Sequence, residues 1–237
     1  MPPAPVLLVL FGPPASGKSK AVTSYVNTNL PVGFKHIVID PDETRYKIPE
    51  YAASLKTLFA EYEPYFKYAA THSCGHKDTP KLQEFATKQD ALLKATGQQV
   101  NNITDTLTTL CLTNKANFSI EVNGNSKNLW YIDTIDKAIK NGFEVHIVYV
   151  FMTDVKKLFC NAKMRALKEF RYTSAAYVAT IFEQAREMFG VLLKRFKHKR
   201  SVKFALYCKS SNTKYTFAHH DNVSDAYLAC KNKSLEL

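Results

Sequence analysis

Gly12-Pro-Pro-Ala-Ser-Gly17-Lys18-Ser19 is the stretch of this chain whose residue types and spacing could do chemistry most directly. It directly follows the apolar run Val6-Leu-Leu-Val-Leu-Phe11. The pattern G-x-x-x-x-G-K-[ST] between a buried strand and a helix start is the phosphate-binding P-loop. Its glycines let the backbone curl until successive N–H groups face a phosphate, and the helix adds its positive N-terminal end. Lys18 would reach the β- and γ-phosphates and Ser19 would hold Mg2+. ATP and Mg2+ are therefore expected across Gly12, Pro13, Pro14, Ala15, Ser16, Gly17, Lys18 and Ser19.

Such a loop serves switches, motors and kinases alike, so other residues must choose between them. The guanine-reading Asn-Lys-x-Asp is absent, since Asn114-Lys-Ala-Asn117 lacks the final carboxylate. A phosphoryl transferase needs a carboxylate just beyond a neighbouring strand, to take the proton from an acceptor hydroxyl. Asp42 stands there, with Asp40 before it as a structural strand end and Arg45 three residues on. Transfer also needs cations that close over the phosphoryl group, and Arg165 and Arg171 lie where a lid would be.

The elements that must position these residues follow from periodicity and punctuation. A strand over residues 5–11 leads into a helix from Gly17 to Asn29, and Pro31-Val-Gly33 separates it from the strand His36-Ile-Val-Ile-Asp40. Residues 50–70 are aromatic and helical in period, with Tyr62, Tyr65, Phe66 and Tyr68 expected to pack in a helical core rather than to stack bases. A loop over 72–80 precedes one or two helices between Lys81 and Thr113. Asn117-Phe-Ser-Ile-Glu121 is a short strand ending on a carboxylate, and Leu129–Lys140 is a helix closed by Asn141-Gly142. The strand Val145–Phe151, a basic helix from Val155 to Glu169, a helix from Ala175 to Phe196 and a strand from Val202 to Tyr207 with a short hairpin to Tyr215–Phe217 complete the pattern.

Strand and helix alternate, which predicts an α/β P-loop kinase-type fold with a mainly parallel sheet of about five strands flanked by helices. Residues 1–237 read as one domain, 50–115 as a helical insertion that shapes the acceptor site, and 197–237 as a basic segment with the last strand region. Ligands on such sheets bind beyond the carboxyl ends of the strands, where the loop, Asp42 and Glu121 all fall.

Four blocks together resemble the zeta-toxin kinases: Gly12–Ser19, His36-Ile-Val-Ile-Asp-Pro-Asp42 with Pro49, Asn117-Phe-Ser-Ile-Glu121 with Gly124, and Gly142–Val150. The resemblance implies a P-loop kinase fold that uses ATP and Mg2+ to phosphorylate a hydroxyl of a UDP-activated amino sugar. It implies that Asp42 is the catalytic base, that Glu121 contacts substrate or metal, that Arg165 and Arg171 clamp the phosphates, and that an antitoxin-like inhibitor is a partner. Polynucleotide 5′-kinases are a second resemblance, because they place a base aspartate three residues before an arginine, as in Asp42 and Arg45. There Arg45 would hold the phosphate beside the acceptor hydroxyl. A nucleic-acid-binding module gated by ATP, with little turnover, is a third class.

Composition sets the outer limits. The 237 residues carry a formal charge of +11, more than a bound polyphosphate would account for. Lys194-Arg-Phe-Lys-His-Lys-Arg200 is the densest basic run, to be read as a solvated helix end or as a nucleic-acid contact. No run of some 20 apolar residues and no secretory leader is visible, so a cytoplasmic protein without a membrane span is expected. Five widely spaced cysteines in a chain this size read as free thiols. His72, Cys74 and His76 lack the paired spacing of a structural zinc site.

Overall fold

Val6–Phe11 forms the strand β1, and all six of its residues are buried. The reason is visible in where alternate side chains go: Leu7, Val9 and Phe11 enter one hydrophobic cluster and Val6, Leu8 and Leu10 another. A strand covered on both faces reads as an unbroken apolar run rather than an alternating one. The computed structural model describes residues 3–127, 129–209, 215–219 and 223–233.

In chain order the elements are β1 (Val6–Phe11), α1 (Lys18–Asn29), β2 (Ile37–Ile39), α2 (Pro41–Tyr46), α3 (Pro49–His72), α4 (Pro80–Thr113), β3 (Phe118–Val122) and α5 (Trp130–Lys140). They continue with β4 (Glu144–Met152), α6 (Val155–Glu169), α7 (Ala175–Phe196), β5 (Val202–Lys209), β6 (Tyr215–His219) and α8 (Val223–Lys233). The chain divides into two compact units, one of residues 1–39, 107–154 and 181–237, the other of residues 40–106 and 155–180.

The first unit is the sheet, in the order β2-β3-β1-β4-β5-β6. Five strands run parallel, and β6 returns antiparallel to β5 as the expected hairpin. One register row crosses the parallel strands through Ile37, Phe118, Leu7, Val145 and Val202. Residues of α5, α7 and α8 fill the cluster on the Leu7 face, and Ala21 and Tyr25 of α1 cover the Leu8 face. The P-loop kinase-type α/β fold expected from the sequence is the fold observed.

The second unit is helical. Phe66 lies at its centre, edge-on to Phe85 at 5.1 Å and to Tyr172 at 4.9 Å between ring centroids. Tyr62 and Phe66 are core residues as expected, whereas Tyr65 and Tyr68 on the same helix are exposed. Residues 81–113 form a single long helix, since Gly97 and the polar Gln98-Gln99 do not break it.

The free-thiol expectation is corrected at two pairs. Cys74 is disulfide-bonded to Cys160 and Cys208 to Cys230, leaving Cys111 as the free cysteine, buried. Packing of the α3–α4 loop onto α6 brings the Cα atoms of Cys74 and Cys160 to 4.4 Å, a proximity that a sequence separation of 86 conceals. Disulfides belong to oxidising compartments, whereas free thiols would have agreed with the cytoplasmic protein expected from the sequence. Bonding of Cys74 also removes the thiolate that a zinc site at His72, Cys74 and His76 would need. Among the described residues no helix is long and apolar enough to cross a membrane.

Candidate active site

In the sheet unit, the loop after β1 is shaped by backbone that side chains would obstruct. Gly12 has φ 150°, and a Cβ there would meet the Val150 carbonyl oxygen at 2.9 Å and Ser16 Oγ at 3.2 Å. Gly17 caps α1 in the left-handed region at φ 89°. The first turn of α1 has no side-chain cap and no acidic residue, so its N–H groups and dipole are left for an anion.

Lys18 is 7% exposed and bends back over the loop. Its Nζ donates to the carbonyls of Gly12 at 3.0 Å and Pro13 at 3.2 Å and to Asn123 Oδ1 at 3.1 Å, and it lies 3.9 Å from Glu121 Oε2. Ser19 Oγ donates to Glu121 Oε1 at 3.5 Å. Glu121 is placed by the parallel pairing of β3 with β1, opposite Leu10. It makes an ion pair with the loop lysine rather than capping the turn that follows.

These residues fit a phosphate and a hard cation. A lysine, a helix N-terminus without a side-chain cap and the buried Ser16 Oγ, which has no protein partner, suit phosphate oxygens. The Ser19 hydroxyl and the Glu121 carboxylate are the oxygen ligands that Mg2+ prefers.

Asn123, in the turn after β3, is brought into the site by its contact with Lys18. The turn it occupies is pressed against α7. Gly124 has φ 80°, and a Cβ there would sit 2.7 Å from Ala185 and 2.9 Å from Phe11. Beside Ala185, Arg186 is buried, with its guanidinium 5.0 Å from the Phe151 ring centroid, 4.5 Å from that of Phe182 and 3.4 Å from Glu183. It is a second cation of the sheet unit near a strand carboxyl end, and helical periodicity alone gave no signal for it.

The helical unit gathers the remaining candidates. Asp40 is structural, as expected: its Oδ1 accepts from the Asp42 N–H at 2.8 Å and caps α2, with Pro41 opening the helix. Asp42 sits in the first turn of that helix and is half exposed. Arg45 Nη1 donates to its Oδ1 at 3.2 Å, and Arg171 Nη1 lies 3.5 Å from its Oδ2. Arg45 is further held by Thr96 Oγ1 at 3.2 Å.

Arg171 is positioned by the segment between α6 and α7. Gln89 clasps the neighbouring Tyr172 at both backbone groups, accepting from its N–H at 2.8 Å and donating to its carbonyl at 2.6 Å. Asp78 accepts from the Ala175 N–H at 2.7 Å and from the Tyr172 hydroxyl. Arg171 also pairs with Glu169 at 2.8 Å and lies over the Tyr46 ring at 5.6 Å. Arg165 is turned to Thr173, donating to its Oγ1 at 2.9 Å. Burial holds the Tyr46 phenol above its ordinary range, against the pull of Arg171 and Arg165.

Thus Lys18, Ser19 and Glu121 come together in one unit, and Asp42, Arg45 and Arg171 in the other. A phosphate-binding loop at the head of a parallel sheet defines an α/β phosphate-binding fold of the P-loop kinase type.

Two solved structures share this fold. One is described as the PezAT chromosomal toxin–antitoxin system of the human pathogen Streptococcus pneumoniae; 13% of residues are identical, the TM-score is 0.50, and the match covers 98% of this chain and 88% of that one. The other is AvrRxo1-ORF1:AvrRxo1-ORF2 with sulphate ions, at 16% identity and a TM-score of 0.50, covering 90% of this chain and 57% of that one. At these identities the likeness is one of fold alone. No family model matches the chain, and no curated protein matches it in sequence.

Proposed function

We propose that this protein is a kinase that transfers the γ-phosphoryl group of ATP to a hydroxyl of a small-molecule acceptor. The observation that carries the proposal is the convergence of Lys18, Ser19, Asn123 and Glu121 at the mouth of the Gly12–Ser19 loop. Such a loop cradles nucleotide phosphates, and a carboxylate beside it suits a metal-assisted reaction.

In this mechanism the Gly12–Ser19 backbone binds the donor phosphates, and Lys18 exchanges its contacts with Gly12 and Pro13 for phosphate oxygens. Ser19 and Glu121 would hold Mg2+, whose chemistry there would be to neutralise charge developing on the transferred group. Asp42, oriented by its hydrogen bond from Arg45, accepts the proton of the acceptor hydroxyl. Arg165 and Arg171 stabilise the charge of the phosphoryl group in flight.

A nucleotide sugar of the UDP-amino-sugar kind is the acceptor implied by the resemblance to zeta-toxin kinases. The toxin–antitoxin description of the Streptococcus pneumoniae structure supports an antitoxin-like partner. The Asp42–Arg45 pair favours one other acceptor, a 5′-hydroxyl oligonucleotide whose adjacent phosphate Arg45 would hold.

Incubation with γ-labelled ATP, Mg2+ and a panel of UDP-sugars, nucleosides and 5′-hydroxyl oligonucleotides tests both. Label in a UDP-amino sugar supports the first acceptor and label in the oligonucleotide the second. ATP binding that depends on Lys18 with no label in any hydroxyl compound would remove the kinase assignment.

A further inference from the structure

The basic run of residues 194–200 takes no part in the mechanism above, and the topology gives it company. In a parallel sheet every strand begins at the same edge. The row Ile37, Phe118, Leu7, Val145 and Val202 marks that edge here, about 17 Å along β1 from Gly12. The residues just before the row are Lys35 ahead of β2, Lys115 ahead of β3, Lys140 closing α5 ahead of β4, and Lys197, Lys199 and Arg200 ahead of β5. All six are exposed, and none forms an ion pair with a described residue.

Hydrogen bonds lock the connections that carry them. Asn117 Nδ2 donates to the Lys35 carbonyl at 3.2 Å while its Oδ1 accepts from the Val6 N–H at 2.8 Å. Lys115 Nζ donates to the Asn141 carbonyl beside Lys140. The Glu144 N–H donates to the Pro5 carbonyl at 2.8 Å and the Val145 N–H to the Ser201 carbonyl at 2.8 Å. Among the described residues, Glu144 near this edge is already paired with Lys203 and His146, and Asp136 with Arg195.

We infer that this edge of the sheet unit, opposite the phosphate-binding loop, is a docking surface for a nucleic-acid backbone. Five strands span about 19 Å, so the cations form a line rather than a point. A line of charge is poorly matched to a single anion and well matched to a polyanion with regularly spaced phosphates. Binding there draws its free energy from released counterions, which nucleic acid carries in a condensed layer. The half-buried Phe34 and His36 rings, stacked at 5.7 Å on either side of Lys35, add an aromatic surface at one end of the line.

The test is fluorescence anisotropy of the full chain with a labelled single-stranded oligonucleotide over a salt series. Contact with four phosphates predicts a log–log salt slope of about −3. The variant Lys197→Glu/Lys199→Glu/Arg200→Glu should weaken binding at least about tenfold and flatten the slope. Lys56→Glu/Lys67→Glu/Lys94→Glu, with the same change in net charge on exposed positions of the helical unit, should leave most of the affinity. Lys18→Ala should leave it all. Equal losses in the two triple variants, a flat salt slope, or binding confined to anionic vesicles or polyglutamate would each overturn the inference. Thermal unfolding of every variant confirms that the fold survives.

Discussion

Lys18 Nζ lies 3.9 Å from Glu121 Oε2, joining the loop after β1 to the end of β3 by an ion pair between residues 103 positions apart in the sequence. The pair holds the cation against its own loop, so phosphate binding must exchange one set of oxygen partners for another. Lys18→Ala should lower phosphoryl transfer by about two orders of magnitude or more, since it removes a preorganised cation. Steady-state turnover with nucleotide binding measured in parallel checks this, and unchanged turnover would exclude Lys18 from the reaction.

Asn123→Ala should have a smaller effect of the same kind. It removes one acceptor from Lys18 and leaves Glu121 in place. A loss of about 1.5 kcal/mol in nucleotide affinity, the lower end for one hydrogen bond to a charged group, is expected, read by calorimetry.

Asp42→Asn should abolish most transfer while sparing the fold, because the side chain is half exposed and Asp40, not Asp42, caps α2. General-base assistance contributes about 10²- to 10⁴-fold. Turnover within twofold of the parent chain, roughly the scatter of context in such effects, would sink the assignment of the base.

Gly124→Ala should destabilise the sheet unit by about 2–4 kcal/mol, combining overpacking with a left-handed backbone. The new methyl group would have to displace Ala185 and Phe11, neither of which has a flexible end to yield. Urea unfolding gives the value, and a change below about 0.5 kcal/mol, typical of an ordinary surface site, would contradict the close approach.

Stability should fall with acidification through the cluster of Tyr25, His146, Glu144 and Lys203. The Tyr25 hydroxyl lies 2.8 Å from His146 Nδ1, Glu144 bonds Nε2, and Lys203 pairs with the same carboxylate. Burial lowers His146 from its ordinary value of 6.5, outweighing the opposing pull of Glu144. Burial alone would raise Glu144, but hydrogen bonds from Lys203 and His146 hold it below its ordinary value of 4.5. Both groups bind protons more weakly in the folded state, so the unfolded chain takes up more of them as pH drops. The His146 contribution is complete above pH 6.5 and is lost as pH falls through its folded value; that of Glu144 is lost below pH 4.5. Urea midpoints between pH 8 and 5 should decline, and His146→Phe should flatten that decline.

Much of the sheet was legible because each strand buried on both faces leaves an unbroken apolar run, as Val6–Phe11 and Val145–Phe151 do. The short helix α2 was not, because six residues make fewer than two helical turns, too few for a periodic pattern to show; its signature was the cap Asp40 with Pro41. Tyr65 and Tyr68 misled because an aromatic-rich helix has two faces, and of its aromatics only Tyr51, Phe59, Tyr62 and Phe66 point inward.

The sequence by itself determined the phosphate loop, the strand–helix alternation and the carboxylates at strand ends, since these depend on local backbone geometry and on hydrophobic period. Tertiary structure decided which distant residues meet. Only parallel pairing of β1 with β3 brings Glu121 and Asn123 to Lys18. Only packing in the helical unit sets Arg171 against Asp42 and closes Cys74 on Cys160. The line of cations at the starting edge of the sheet has the same origin: Lys35, Lys115, Lys140 and Arg200 are scattered along the chain, and strand register puts them side by side. Contacts between remote segments are fixed by burial and register, which no local pattern encodes.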